Sequence, residues 1–135
     1  MTPTQTVLEF LDRINQHDAD KLVEWMTDDH VFFDSLGNQN RGSEKMRAGW
    51  RGYFSMCPDY WVSHEELFEK GDRVAAVGVA GGTIRGKQWK TPAAWLAVVE
   101  NGRVKEWRVY ADNKPVYDIL AAKRGRDHGP AADQR

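Results

Sequence analysis

Apolar residues recur at helical spacing three times in the first half of the chain, and the pattern changes to strand-like alternation in the second half. Val7, Leu8, Phe10, Leu11 and Ile14 share one broad helical face. Thr2, Pro3 and Gln5 form its start: Thr2 as N-cap, Pro3 at the first helical position, Gln5 completing a T-x-x-Q capping box. Asp18 is an N-cap for a second, short helix carrying Leu22, Val23, Trp25 and Met26, which Thr27-Asp28-Asp29 breaks. His30 to Asp34 reads as a short strand, and residues 35–40 as a polar loop. A third helix is predicted from Ser43 to Met56, where Met46, Trp50, Tyr53, Phe54 and Cys57 form a stripe and Pro58 prevents continuation.

From Tyr60 the chain reads as strands: Tyr60 to Phe68, Val74 to Ala80, Gln88 to Glu100 and Val104 to Ala111. Asn101-Gly102 between two apolar strands is a strong hairpin signal. Pro115 opens a short turn or helix through Leu120. Residues 123–135 read as a flexible tail, leaving 1–122 as one domain. Helices segregated from strands predict an α+β fold, a curved, mostly antiparallel sheet with three N-terminal helices enclosing a pocket on one face. The first helix is expected to lay Val7, Leu11 and Ile14 against Leu96 and Val98.

Composition narrows the function classes. The chain has 135 residues, 41% of them hydrophobic and 29% charged, enough for one core. Nineteen Lys and Arg face twenty Asp and Glu, so the basic excess of a duplex nucleic-acid binder is missing. No apolar run approaches the ~20 residues of a membrane span. The start lacks a basic and then apolar leader, so a cytoplasmic location without a membrane partner is expected. One cysteine excludes an internal disulfide, and four scattered histidines show no metal-ligand spacing. Phosphate-loop and G-x-S-x-G motifs are missing too, so neither a metal nor an organic cofactor is expected.

The chain resembles the nuclear-transport-factor-2-like superfamily in its SnoaL-like branch of small cyclases, isomerases and hydrolases. The residues that carry the resemblance are Thr6 to Leu11, His17 to Leu22, Met26 to Asp34, Arg41-Gly42, Phe54 to Asp59 and Glu106 to Asp112. The resemblance implies a cone-shaped, cystatin-like roll, and it implies a homodimer. Steroid Δ-isomerases of this superfamily pair an Asp base with an oxyanion hole of a Tyr and a protonated Asp. Asp34 matches the base, but Phe10, Ala94 and Trp50 stand where hydrogen-bonding side chains would be. Losing even one oxyanion donor typically costs ~10²–10³ in rate, so steroid isomerisation is not expected. Trp107-Arg108-x-Tyr110-x-Asp112 is similar to limonene-epoxide hydrolases, whose late Asp acts on water. Their Arg-x-Asp pair is replaced by the small residues Ala75 to Ala80.

The candidate catalytic residues are therefore Asp34 and Asp112, with His64 and Tyr110 as donors to a developing oxyanion. If both carboxylates face one apolar cavity, repulsion raises one pKa and yields an acid and a base. Asp34 is otherwise a turn residue bonded to its own loop, and Asp112 otherwise a helix N-cap. His64 counts on a face with Tyr60 and Val62 but lies among Glu residues. Which face of the last strand is inner stays open, because Tyr110 and Asp112 alternate with Glu106 and Arg108 on one side. Candidate substrate-binding residues are Phe10, Phe32, Trp50, Phe54 and Trp95. Some of Trp61, Trp89 and Trp107 are expected on an outer dimer face. The functional expectation is a cofactor-free isomerase or cyclase acting on an apolar carbonyl or epoxide compound, with epoxide hydrolysis second. The alternative is a non-catalytic binding module for an apolar ligand.

Overall fold

The computed structural model describes residues 1–127. The elements run α1 (Pro3–Asn15), α2 (Ala19–Val23), β1 (Met26–Phe33), β2 (Gln39–Arg41), α3 (Ser43–Met56), β3 (Trp61–Lys70), β4 (Arg73–Ile84), β5 (Lys87–Glu100), β6 (Arg103–Ala111) and α4 (Lys114–Asp127). The strands form one curved sheet in the order β2-β1-β6-β5-β4-β3. All neighbours are antiparallel except β1 and β6, which run parallel. Among the described residues no helix is long and apolar enough to cross a membrane.

Each element starts for a local reason. Thr2 and Gln5 form the reciprocal capping box of α1. Asp18 caps α2 by accepting from the Lys21 N–H. The expectation that the second helix carries Trp25 and Met26 fails, because α2 stops at Val23 and Met26 already opens β1. The predicted polar loop holds a three-residue strand, β2, too polar to read as one. Gly42, at φ +98°, is the N-cap residue of α3, and Ser43 is its first helical residue. The last helix runs to Asp127, past the predicted start of the tail at 123; residues 128–135 lie outside the described residues.

α1 lies along the edge strand β3 and replaces a missing strand partner. Asn15 donates to the Val62 carbonyl at 3.0 Å and accepts from the Val62 N–H at 2.8 Å. At the other end of α1 the Thr4 hydroxyl donates to Glu69 at 2.6 Å. These bonds tie α1 to the edge strand at both ends, and the Asn15 pair takes up the free backbone groups of Val62. Val7, Phe10, Leu11 and Ile14 are buried beneath the helix. Their sheet partners are not Leu96 and Val98, because β5 turns Trp95, Ala97 and Val99 inward and the two expected residues outward.

A register shift between His64 and Glu66 bends β3 against β4. It also reverses the facing of β3, so that Val62 before it and Leu67 after it both meet the core. Gly78 sits opposite the bulge, where a Cβ would lie 1.8 Å from the Ser63 carbonyl oxygen. Only a residue without a side chain fits there. Gly78→Ala is expected to lower stability by roughly 1–3 kcal/mol in urea unfolding. Gly52→Ala, on α3 with open space around it, is expected to raise stability by about 0.5–1 kcal/mol. Equal stability of Gly78→Ala and wild type would contradict this account of the bulge.

Candidate functional site

Strand alternation fixes which side chains line the space under the helices. β5 turns Trp89, Thr91, Ala93 and Trp95 inward, and β6 turns Trp107, Val109 and Ala111 inward. α3 contributes Met46, Trp50 and Tyr53 from its buried stripe, and β1 contributes Phe32. Between them lies a cavity of about 650 Å³, a volume typical of small-molecule sites. Seven aromatic rings reach it: Phe32, Trp50, Tyr53, Tyr60, Trp89, Trp95 and Trp107. Asp34, Ser35, Asn40, Lys45 and Asn113 add polarity to its lining.

The rings brace each other. Trp95 stacks on Trp107 with centroids 6.5 Å apart, and Tyr60 stacks on Trp89 at 6.1 Å. Phe32 and Tyr53 each meet Trp50 edge-on. The indole N–H groups of Trp50 and Trp107 are buried without an acceptor, so these residues offer the cavity ring surface rather than donors.

Of the five residues expected to bind substrate, Phe32, Trp50 and Trp95 line the cavity. Phe10 and Phe54 do not. Phe10 is fully buried behind the wall, 4.6 Å from the Trp107 ring centroid, and Phe54 packs behind Trp50 at 5.4 Å. Their role is support. Trp89 and Trp107, expected among the outer dimer residues, are inner residues on the cavity wall.

The four candidate catalytic residues are not brought together. Asp34 lies on the lining, but its carboxylate is taken up by its own loop. One oxygen accepts from the Leu36 and Asn38 N–H groups at 2.9 Å, and the other from the Asn38 side chain at 3.0 Å. Burial pushes the Asp34 pKa up, but the hydrogen bonds from Asn38, Leu36 and Gly37 outweigh it and leave the carboxyl below its ordinary value. That is opposite to the raised pKa expected of a base among apolar neighbours. Asp112 is exposed and accepts from the Lys114 N–H at the start of α4, as an N-cap does. Tyr110 points outward and is 54% exposed, since inward positions on β6 fall to Trp107, Val109 and Ala111. His64 is exposed at the bulge of β3. The shared-cavity pair of carboxylates therefore does not form.

The outward face of β6 also explains Glu106 and Arg108. They pair with each other at 3.0 Å, and the Arg108 guanidinium sits 3.8 Å from the Phe33 ring centroid. Among the described residues no group of three or more His, Cys, Asp or Glu side chains is placed to hold a metal ion.

Several polar residues on the wall escaped the sequence reading, Tyr53 and Tyr60 among them. Tyr53 was visible only as a member of the α3 stripe, and Tyr60 only as the start of a strand. Their rings meet edge-on, 4.9 Å apart. Burial pushes both phenol pKa values well above the ordinary 10.0, with a smaller contribution from Cys57 in each case. A group with a raised folded pKa adds stability below its unfolded pKa and loses it as pH rises toward the folded one. Stability to urea is therefore expected to fall between pH 9 and pH 11, and less steeply in Tyr53→Phe and Tyr60→Phe. Equal slopes in all three proteins would show that the phenols are not buried as described.

With this geometry in place, comparison with known proteins is direct. The family model described as the SnoaL-like domain matches residues 7–107. Among solved structures, a candidate SnoaL-like polyketide cyclase from Shewanella denitrificans is 18% identical, with TM-score 0.79 over 88% of this chain and 96% of that one. IdmH, a candidate polyketide cyclase from Streptomyces antibioticus, is 21% identical, with TM-score 0.76 over 90% and 99%. A ketosteroid isomerase-like fold protein from Catenulispora acidiphila, in complex with trimethylamine, is 20% identical, with TM-score 0.78 over 86% and 91%. At these identities the likeness is one of fold. Comparison with curated proteins gives no match.

Proposed function

The chain belongs to the SnoaL-like domain family, and from that premise we propose that it is a small-molecule pocket protein that encloses an apolar, ring-bearing compound. The observation that carries this reading is the cavity itself: about 650 Å³, with seven aromatic rings on its wall. Such a surface gains from burying apolar area and from ring stacking. Among the described residues, Asp34 and Lys45 are the charged side chains on the lining, so most of the wall offers a buried charge no ionic partner.

Binding without turnover fits the carboxylates best. Asp112 is occupied as a cap outside the cavity, and Asp34 spends its acceptor capacity on its loop. A second reading, cofactor-free isomerisation or ring closure, is favoured by one observation: Asp34 is a carboxylate on the cavity wall. Its lowered pKa keeps it ionised at neutral pH and also makes it a weak base. The names of the polyketide cyclase-like neighbours lie on this side of the comparison.

Native mass spectrometry of the purified protein, joined to a turnover screen on carbonyl- and epoxide-bearing ring compounds, separates the two. The expected outcome is retained or added apolar ligand without turnover. Turnover that falls ~10²–10⁴-fold in Asp34→Asn, with folding unchanged, would replace the binding reading by the catalytic one.

The outer face of the sheet supports a homodimer. Cross-strand pairing aligns Phe68, Ala75 and Leu96 in one row, which ends on Arg108, and Val77, Ala94 and Tyr110 in the next, which begins at Glu66, so an apolar strip is flanked by charge. Phe68 and Tyr110 are more than half exposed, and contiguous apolar patches of this kind are typically partner surfaces. A second copy closes such a face by twofold symmetry. Sedimentation at micromolar concentration is expected to give twice the monomer mass, and Val77→Lys to return the protein toward monomer. A wild-type monomer would end this proposal.

A further inference from the structure

The cavity wall carries two hydroxyl groups that the protein itself leaves unused. Tyr60 stands at the start of β3 and is 9% exposed, and Tyr53 lies one helical turn beyond Trp50 on α3. Both line the cavity, and their rings touch edge-on at 4.9 Å. No protein group among the described residues accepts a hydrogen bond from either hydroxyl or donates one to it. Neither hydroxyl is among the sealed, partnerless polar atoms, as the Trp50 and Trp107 indole nitrogens are. Two phenol oxygens therefore open onto the same apolar space.

Phe32 fills the same wall with a ring and no hydroxyl, so the two phenol groups add a hydrogen-bonding capacity that packing alone does not require. The hydroxyls become favourable when something in the cavity accepts from them. We propose that Tyr53 and Tyr60 are the polar anchor of the site and that they donate hydrogen bonds to a neutral oxygen acceptor, a carbonyl group, on an otherwise apolar ring compound. This rests on the pocket reading above and adds which ligand group is recognised, and by which residues.

The chemistry of the wall selects a neutral acceptor. A carboxylate or phosphate at this depth would need a cation, and the cation on the lining, Lys45, is exposed. An ammonium donor would find phenol oxygens that can accept, but at the cost of burying a charge away from water. Because burial resists their ionisation, both phenols stay protonated and act as donors throughout the physiological range. The position also differs from the three sites, Phe10, Trp50 and Ala94, where the sequence pattern of steroid isomerases places hydrogen-bonding groups. This anchor is made from other residues on the same kind of wall.

The test uses three naphthalenes of one shape: 2-acetylnaphthalene, 2-ethylnaphthalene and 2-naphthoate. Their binding is measured by calorimetry on the full chain as wild type, Tyr53→Phe, Tyr60→Phe and the double variant. The ketone is expected to bind wild type more tightly than the hydrocarbon and the carboxylate. Each Tyr→Phe change is expected to weaken the ketone ~3–10-fold while leaving the hydrocarbon unchanged. The hydrocarbon also reports that the variant cavity is intact. The carbonyl infrared band of the bound ketone is expected at lower frequency in wild type than in the double variant. If hydrocarbon and ketone bind wild type but both variants keep the full ketone affinity, the anchor is disproved and the pocket reading stands. If the carboxylate binds tightest, the neutral-acceptor assignment is wrong. If none of the three binds wild type, the pocket reading falls and the anchor with it.

Discussion

On the inner face of β5 the side chains run Trp89, Thr91, Ala93, Trp95, Ala97 and Val99. Large rings are separated by small residues, and across the ladder Ala76 and Ala80 on β4 add more small groups. Where a tryptophan meets an alanine the wall recedes, and where rings meet rings it is braced. A uniformly large inner face would close on the helices as a solid core. A uniformly small one would collapse. The cavity is the volume that this alternation leaves unfilled, and the placement of every functional candidate follows from it. The period of two sends Trp107, Val109 and Ala111 inward on β6, and the same rule sends Glu106, Arg108 and Tyr110 to the other side.

The fold was legible because its signals are local and repeated. The capping box of α1, the apolar stripe of α3 and the Asn101-Gly102 hairpin are each set by neighbouring residues. The parallel pairing of β1 with β6 is not, since it joins residues more than seventy positions apart. β2 was missed because Gln39-Asn40-Arg41 has no apolar alternation; it becomes a strand by pairing with β1. The site was less legible than the fold because facing is a parity, and one bulge reverses it. A count by two places His64 with Val62, whereas the shift between His64 and Glu66 brings Leu67 to the core instead. Asp34 shows the opposite difficulty. Its position on the lining was foreseen, but its chemistry depends on three short hydrogen bonds within its own loop, which residue type alone cannot reveal.

Charge is kept at the rim and outside by the same economy that builds the core. Arg108 pairs with Glu106 on the outer face, and Asp59, where the chain leaves α3, accepts two hydrogen bonds at 2.7 Å from Thr83 of β4. Each carboxylate near the cavity has a structural partner that keeps it solvated or bonded. Proton abstraction inside an apolar pocket asks for the reverse: a carboxylate short of partners, whose proton affinity is raised by its surroundings. The cavity-lining phenols of Tyr53 and Tyr60 have no protein partner among the described residues, and burial keeps them protonated, as donors rather than bases. These groups support the proposed recognition of an acceptor over removal of a proton.

A cavity that the side chains leave unpacked in a domain this small costs stability relative to a packed core, because its lining makes fewer contacts with other protein atoms. Natural proteins are rarely at their stability optimum, so filling the space tests whether it serves binding or is only unpacked. Ala93 is the place to fill it. It is buried, it faces the cavity between Thr91 and Trp95, and its neighbour across β6 is the small Ala111. Leucine there adds three carbons on the cavity side without changing the outer face of β5. If the void is a binding site, Ala93→Leu will hold or raise the urea midpoint while removing affinity for apolar ring compounds. If the space is merely imperfect packing around rigid rings, the added carbons will clash with Trp95 and stability will fall by roughly 1–3 kcal/mol. A variant that keeps or gains stability while losing affinity marks a site, and one whose only change is a loss of stability marks a packing defect.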